Sequence, residues 1–194
     1  AAAMTFAPMS FAQQAPEKKD VTIAVGGKSL YYYLPLSIAE QLGYFKDEGL
    51  NVKIVDFQGG SRSLQAVVGG SADVVSGAFE HTISMQAKKQ PMTAFVLQGR
   101  APQLALVVSN KTMKDYKQLS DLKGKKVGVT APGSSSQMVA NFILKKGGLG
   151  PKDVAFIGVG SSSGAVSTIR SGQIDALINL DPVITILLKN GDAK

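Results

Sequence analysis

Short apolar runs alternate with helical stretches along the chain, and glycine or serine lies at most of the junctions between them. Val21–Val25 is a β-branched run closed by Gly26-Gly27, which predicts a buried strand. Pro35 then opens a stretch with apolar residues at helical spacing. The first half predicts the order strand, helix, strand, helix, strand over residues 21–25, 35–42, 50–57, 61–68 and 72–75.

The second half repeats that order, with strands at residues 126–130, 154–159 and 174–178 and helices between them. Val25 aligns with Val129 (129 − 25 = 104), and Asp73 aligns with Asp175 (175 − 73 = 102). Consecutive strand–helix–strand units imply parallel sheets. We therefore expect an α/β fold of two similar lobes, and one six-stranded sheet is the alternative.

The lobes are expected to divide at residue 108, giving lobe 1 over residues 21–108 and lobe 2 over residues 109–194. Two strand-like runs lie between the repeats, at residues 93–98 and 104–108, and the second would carry the chain from lobe 1 toward lobe 2. No return crossing to lobe 1 is visible before Lys194, so we expect the C-terminal return to be missing.

Three glycine- and serine-rich turns are the candidate binding elements, because ligands of open α/β sheets lie beyond the carboxyl ends of the strands. They are residues 131–136, 59–61 and 160–163. Glycine lets backbone N–H groups approach a ligand, serine adds a hydroxyl, and the following helix offers unpaired N–H groups. Each turn could equally be an ordinary helix cap, but three at equivalent places favour an anion-binding cleft.

Other side chains could border this cleft. Tyr31, Tyr32 and Tyr33 follow the first strand and could wall an organic ligand, although at least one of them must pack inward. Asp181 could hold a ligand amine or cap the helix that begins at Pro182. His81 is the single histidine, and we expect it to border the cleft rather than to catalyse a reaction.

Composition narrows the function classes. The formal charge is +7, from 21 basic and 14 acidic residues, and the basic residues are dispersed, which favours an anionic solute over nucleic acid. The absence of cysteine removes thiolate chemistry, and one histidine cannot form a histidine-rich metal site. No nucleotide-binding loop or nucleophile elbow is present, so we expect no cofactor and no catalytic residue.

The first twenty residues differ from the rest. Residues 1–12 are apolar and end in Ser10-Phe11-Ala12, followed by a polar stretch. This pattern is typical of the tail of a signal peptide, with a disordered remnant as the alternative. No later segment approaches the ~20 apolar residues of a membrane span. We therefore expect an exported, periplasmic protein.

Several motifs resemble a known family, the solute-binding proteins of ABC importers for sulfonates, nitrate and taurine, together with the thiamine-pyrimidine proteins. The stretch Leu34–Val52 contains Gly-Tyr-Phe-Lys-Asp-Glu-Gly-Leu-Asn-Val, which is similar to the family's signature. The further resembling segments are Gly69–Asp73, Asp121–Val129 with Gly133-Ser134, Gly172–Ala176 and Asp181-Pro182.

The resemblance implies a type II periplasmic-binding-protein fold whose two lobes close on a ligand. It implies that Gly133, Ser134 and Ser135 hold an anionic head group. Ser61 and the turn Gly77-Ala78-Phe79 would lie opposite, and the remaining binding candidates are Tyr31, Tyr32, Ser161 and Asp181.

The expected partners are a small solute and the permease and ATPase subunits of an ABC importer, and the protein itself is expected to be a monomer. One alternative is a pyrimidine-precursor binding or synthase-like protein of thiamine metabolism. Its relatives rely on cysteine and histidine chemistry, which this composition disfavours. Another alternative is a two-lobed sensor domain. The N-terminal segment, which resembles the tail of a signal peptide, argues against it.

Overall fold

The structure is a computed structural model that describes residues 16–194. The predicted signal-peptide tail therefore lies almost entirely outside the described residues. Seven strands occur in this part of the chain: β1 (Asp20–Val25), β2 (Asn51–Asp56), β3 (Val74–Ser76), β4 (Ala105–Val108), β5 (Lys126–Val129), β6 (Ala155–Gly158) and β7 (Ala176–Asn179). Most of the predicted strands are present, with ends shifted by one or two residues.

Seven α-helices connect these strands: α1 (Leu34–Gln41), α2 (Tyr44–Asp47), α3 (Gly60–Val68), α4 (Glu80–Ala87), α5 (Ser135–Lys146), α6 (Ser163–Ser171) and α7 (Val183–Lys189). Two short 3-10 helices are added at Tyr31–Tyr33 and Leu119–Leu122. The order of the strands and α-helices along the chain matches the repeated strand–helix pattern that the sequence predicts.

Within residues 16–194 the strands form two separate sheets, which excludes the single six-stranded sheet. The first sheet has the order β2-β1-β3 and is parallel throughout. The second has the order β4-β7-β5-β6, in which β5 pairs in parallel with both β6 and β7. The order β2-β1-β3 is the counterpart of β6-β5-β7, so the two lobes are copies of one βαβαβ unit.

The duplication extends to individual hydrogen bonds. In lobe 1 the Asp73 backbone N–H donates to the Thr22 carbonyl, and its carboxylate accepts the Thr22 N–H, each at 2.9 Å. In lobe 2 Asp175 makes the same pair of bonds with Lys126, at 2.8 and 2.9 Å. The two aspartates therefore anchor the first strand of each unit in the same way.

One strand that lies before the expected lobe boundary at residue 108 pairs in the second sheet. Residues 104–108 are expected to carry the chain from lobe 1 toward lobe 2, and within them β4 pairs antiparallel with β7. An apolar run predicts a strand, but it does not say which neighbouring strand will accept its hydrogen bonds. The chain therefore crosses between the lobes before residue 105.

The strand predicted at residues 93–98 is not formed. This segment has no regular structure, and Phe95, Val96 and Leu97 are all more than 70% exposed. Together with β3 it borders an apolar cavity of about 620 Å³. Within residues 16–194 its backbone pairs with no strand, although the Gln98 side chain accepts a hydrogen bond from Ser76 of β3 at 2.8 Å.

The main hydrophobic core joins the two lobes. Leu30 and Tyr33 from lobe 1 belong to the same buried cluster as Val166, Ile169 and Leu187 from lobe 2. A second cluster around Leu122 and Leu144 lies within lobe 2. Because one apolar cluster spans both units, their packing holds the carboxyl ends of the two sheets against each other.

Leu187 and Leu188 on α7 offer a matched test of this core. Leu187 is fully buried in the shared cluster, whereas Leu188 is 47% exposed. We expect Leu187→Ala to lower the free energy of unfolding by about 2–5 kcal/mol, because it removes buried methyl groups and leaves a cavity. Leu188→Ala should change it by about 0.5 kcal/mol or less. Chemical denaturation measures both, and equal losses would contradict the assigned core.

Candidate ligand-binding site

Turns from both lobes meet at one seam beyond the carboxyl ends of the sheets. The Ser61 hydroxyl, at the start of α3, donates to the Pro132 carbonyl in the turn before α5 at 2.8 Å. A Cβ atom at Gly59 would lie 2.8 Å from the Cβ of Ala131, and one at Gly27 would lie 2.2 Å from the Ser161 hydroxyl. Only glycine permits these approaches, and both glycines also adopt positive φ angles.

Asp56, at the end of β2, shapes the lobe 1 side of this seam. Its carboxylate accepts the backbone N–H groups of Gly27 and Lys28, both at 2.8 Å. These bonds hold the turn after β1 against the turn after β2. The sequence prediction missed Asp56, although an acidic residue at the end of an alternating strand was the available signal.

Three hydroxyl groups organise the lobe 2 side. The hydroxyls of Thr130, Ser134 and Ser136 lie 2.8–2.9 Å from one another, and all three residues are buried. The Ser134 hydroxyl also donates to the Ala131 carbonyl at 2.6 Å. Ser134 was predicted to hold an anion, but its hydroxyl is used within the turn.

The other two residues predicted beside Ser134 are more accessible. Gly133 is exposed, and its N–H already donates to the Gln137 side chain at 2.7 Å. Ser135, the first residue of α5, is partly exposed, and its hydroxyl has no hydrogen-bond partner within residues 16–194. Of the three residues of this turn that were predicted to hold an anion, Ser135 is therefore the one whose hydroxyl is available to a ligand.

The three adjacent tyrosines, Tyr31, Tyr32 and Tyr33, lie in three different environments. Tyr31 is 62% exposed, so it remains available at the surface. The Tyr32 hydroxyl donates to the Gly77 carbonyl at 3.4 Å, and burial followed by the nearby Glu80 raises its pKa. Tyr33 is the one that packs inward: its hydroxyl accepts the Gly26 N–H at 3.1 Å, and burial raises its pKa to about 12.

Asp181 acts as a helix cap. Its carboxylate accepts the backbone N–H and the hydroxyl of Thr185, at 3.0 and 2.8 Å. Its carbonyl accepts the Tyr31 N–H at 3.0 Å, which adds a second hydrogen bond between the lobes. Of the two roles considered from sequence, the structure places Asp181 in the capping role.

The turn Gly77-Ala78-Phe79 leads into α4, where Phe79 is 67% exposed and His81 is 6% exposed. A Cβ atom at Gly60 would lie 3.3 Å from the His81 ring, so the ring borders the start of α3. Burial lowers the pKa of His81, and the neighbouring Glu80 opposes that shift. The seam thus brings together Ser61, Ser161 and the turns before α4 and α5.

Residues 16–194 contain neither a candidate metal site nor a candidate membrane span. No three side chains of the histidine, cysteine, aspartate or glutamate type come together as a metal site. None of the helices in that range has the length and apolar character needed to span a bilayer.

The family described as "NMT1/THI5 like" matches residues 31–187, and the chain belongs to this family. The match covers most of the chain and reaches into both repeated units, although β1 lies before its first residue. It confirms the resemblance that the separated sequence motifs carried.

Solved structures place this fold among solute-binding proteins. A structure from Bordetella bronchiseptica RB50 is 64% identical with a TM-score of 0.90, covering 92% of this chain and 56% of that one. The alkanesulfonate-binding protein SsuA from Xanthomonas axonopodis pv. citri, bound to MOPS, is 22% identical with a TM-score of 0.69, covering 93% and 61%. Periplasmic sulfonate- and nitrate-binding proteins are further neighbours. The fold is therefore that of the periplasmic binding proteins.

The curated relatives include enzymes. The 4-amino-5-hydroxymethyl-2-methylpyrimidine phosphate synthase of Schizosaccharomyces pombe is 26% identical over 162 residues, covering 83% of this chain and 45% of that protein. The chain spans about half the length of the curated relatives it matches. Proteins similar to this chain in fold or in sequence thus include ones named as binding proteins and ones named as synthases.

Gly59 tests the contact between the lobes. A methyl group there would meet Ala131 at 2.8 Å, on a backbone with φ of +99°. We expect Gly59→Ala to lower the free energy of unfolding by about 1–3 kcal/mol through overpacking and strain. Gly99→Ala is the control, because its Cβ would make an ordinary contact with Tyr32 at 3.7 Å. Denaturant titration of both variants measures the difference, and a Gly59→Ala protein as stable as the control would refute the contact.

Proposed function

We propose that this chain is the ligand-binding part of an extracytoplasmic solute-binding protein that captures a small anionic solute and delivers it to an ABC importer. The observation that carries the proposal is the convergence of the turns before α3, α4 and α5 at one seam between two lobes. Ser61 and Pro132, in direct hydrogen-bond contact, mark its centre. A protein of this kind would be exported, act as a monomer, and dock on permease and ATPase subunits.

Backbone amides supply the attraction for an anion. The N–H groups of Gly60 and Ser61 at the start of α3 have no acceptor within residues 16–194. On the other lobe the Ser135 hydroxyl is open at the start of α5. Helix N-termini carry a partial positive charge, and the net charge of +7 attracts anions from a distance.

Ligand entry would require the two lobes to separate, because the turns touch in this arrangement. Such hinge opening and closing around a ligand is common in two-lobed proteins. The small residues on both sides of the seam allow close contact in the closed form. A solute held between the turns would bridge the lobes and favour that closed form.

The second candidate is a pyrimidine-precursor binding or synthase-like protein of thiamine metabolism. The relationship to the S. pombe synthase favours it, since that match covers 83% of this chain. Against it, the chain contains no cysteine and a single histidine, so it has few groups for acid–base or covalent chemistry. Binding without turnover separates the two candidates.

A ligand panel tests the proposal directly. Thermal unfolding of the protein at its native length would be followed with alkanesulfonates, taurine, nitrate, bicarbonate, aromatic acids and formylaminopyrimidine. A true ligand at one hundred times its dissociation constant should stabilise the folded state by about 2.7 kcal/mol. Product formation from any of these compounds would favour the synthase, and the absence of any shift would contradict a binding role.

Ser61 offers a variant that separates binding from folding. We expect Ser61→Asp to weaken anion binding at least about tenfold, because it adds a negative charge where the anion would lie. The apo protein should not lose stability through the helix, since a negative charge at a helix N-terminus is favourable. Ser61→Asn is the neutral control. Calorimetry that finds equal affinity in the aspartate and asparagine variants would place the anion elsewhere.

A further inference from the structure

The first helix of each lobe carries a row of large apolar side chains that face solvent. On α1 the row contains Leu34 and Ile38, one turn apart, and it continues to Leu42 directly after the helix. On α5 the row contains Met138 and Phe142, which are also one turn apart. Each of these five residues is more than 40% exposed. Residues four apart lie on the same face of a helix, so each row forms one continuous stripe.

The α1 stripe and the α5 stripe occupy equivalent positions in the duplicated units. The offset of 104 residues that aligns the first strands of the two units also aligns Leu34 with Met138 (138 − 34 = 104). The same offset aligns Ile38 with Phe142 (142 − 38 = 104). A single exposed apolar side chain needs no explanation. The same exposed pair in both copies of the unit requires one.

The opposite faces of the two helices pack inward, and they align in the same way. Ala140 is fully buried on α5. Its counterpart on α1 is Leu36 (140 − 36 = 104), which packs against the shared core. A residue two positions along an α-helix lies about 200° around its axis, so each stripe points away from the core of its lobe. The stripes therefore do not serve the packing of the described chain.

Other exposed apolar side chains do not recur in the second unit. At the same offset Val68 on α3 aligns with Gly172, which has no side chain. Ile83 on α4 aligns with Leu187, which is buried. Isolated apolar side chains of this kind are normal on a protein surface. The two equivalent stripes differ from them and indicate a surface that a partner covers.

The charges beside the stripes are positive or already neutralised. Lys145 and Lys146 end α5, and the Lys146 ammonium lies 4.9 Å from the centre of the Phe142 ring. The charged side chain within α1 is Glu40, whose carboxylate is paired with Lys28 at 2.6 Å. Neither α1 nor α5 therefore contains an unpaired carboxylate. The complementary partner combines apolar sites with acidic side chains.

This chemistry favours a folded protein partner over a second copy of the chain or a lipid surface. A second copy carries the same net charge of +7, so it would bring lysine against lysine. A bilayer binds one long amphipathic helix face, whereas these two short stripes lie on separate lobes. Two separate apolar sites on one partner match this arrangement, because a few well-placed side chains supply most of the binding energy of a protein interface.

We propose that the α1 stripe and the α5 stripe together form the surface by which this protein docks on the membrane permease of its importer. The inference rests on the proposed function, which requires such a partner, and it names the surface. The permease would present one apolar site to each lobe, with carboxylates beside Lys145 and Lys146. The seam then holds the solute, and a separate pair of helix faces recognises the transporter.

Photo-crosslinking identifies what covers the stripes. In its own cells and at its native length, the protein would carry p-benzoylphenylalanine in place of Ile38 or Phe142, with the exposed Leu188 as the control position. We expect both stripe positions, and not the control, to crosslink to a permease subunit identified by mass spectrometry. A crosslink to a second copy, to lipid, to another part of the same chain or to nothing would overturn the proposal.

Charge variants test whether the stripes act in transport. Ile38→Asp and Phe142→Asp should each lower cellular uptake of the best-bound panel compound about tenfold or more, because each places a carboxylate in an apolar contact edged by acidic side chains. Leu188→Asp is the matched control and should keep uptake within about twofold. Calorimetry should find the same solute affinity in all three variants, since none of these residues lies at the seam. Equal uptake in all three variants would overturn the docking surface.

A lysine reversal tests the predicted acidic rim of the partner. Lys145→Glu should lower uptake about threefold or more, because it replaces an attraction by a repulsion. Lys152→Glu, in the turn before β6, makes the same charge change away from the stripes and should leave uptake unchanged. Equal effects of the two reversals would refute the acidic rim. If no panel compound bound the unmodified protein, the solute-binding proposal itself would fail, and the docking surface with it.

Discussion

The close approach of glycine-rich turns is the constraint on which this structure depends. Gly59 faces Ala131, and Gly27 faces Ser161, at distances that leave no room for a side chain on the glycine. This lets Ser61 reach the Pro132 carbonyl and lets a single apolar cluster extend through both lobes. A larger residue at either glycine would separate the two sheets at the ends where their helices begin, and the seam would lose its shape.

The seam joins two copies of one unit that have diverged where they meet. Asp73 and Asp175 keep identical hydrogen bonds at the far ends of the strands, where the units only need to hold themselves together. At the seam the copies differ: lobe 2 has a buried network of Thr130 and two serines, whereas lobe 1 presents His81 and its acidic neighbour. A duplicated framework with unlike faces can hold the two ends of one small molecule in a fixed direction.

Proteins similar to this chain are named as binders in one case and as synthases in another, and the fold alone does not distinguish them. Function in such a family depends on which groups face the cleft. Here most of the seam consists of glycine, backbone amides and hydroxyl groups, and the amides and hydroxyls can form hydrogen bonds to a solute. His81 is the exception, and its lowered pKa suits a hydrogen-bonding group that stays neutral.

The order of strands and helices, the duplication and the positions of the turns all followed from local pattern, because apolar periodicity and glycine placement act over a few residues. At least one of the three adjacent tyrosines was expected to pack inward, and Asp181 had the helix cap as one of its two roles. Other features depended on residues far apart in the chain. β4 joined the second sheet because β7 offered an open edge, and residues 93–98 formed no strand although their apolar pattern predicted one. The Ser134 hydroxyl turned inward because the hydroxyls of Thr130 and Ser136 form hydrogen bonds with it there. The buried atoms of Glu80 and His81 that lack a hydrogen-bond partner became visible only once the start of α4 was placed against the start of α3. Sequence determines which groups can bond, whereas only tertiary packing decides which of them are already occupied.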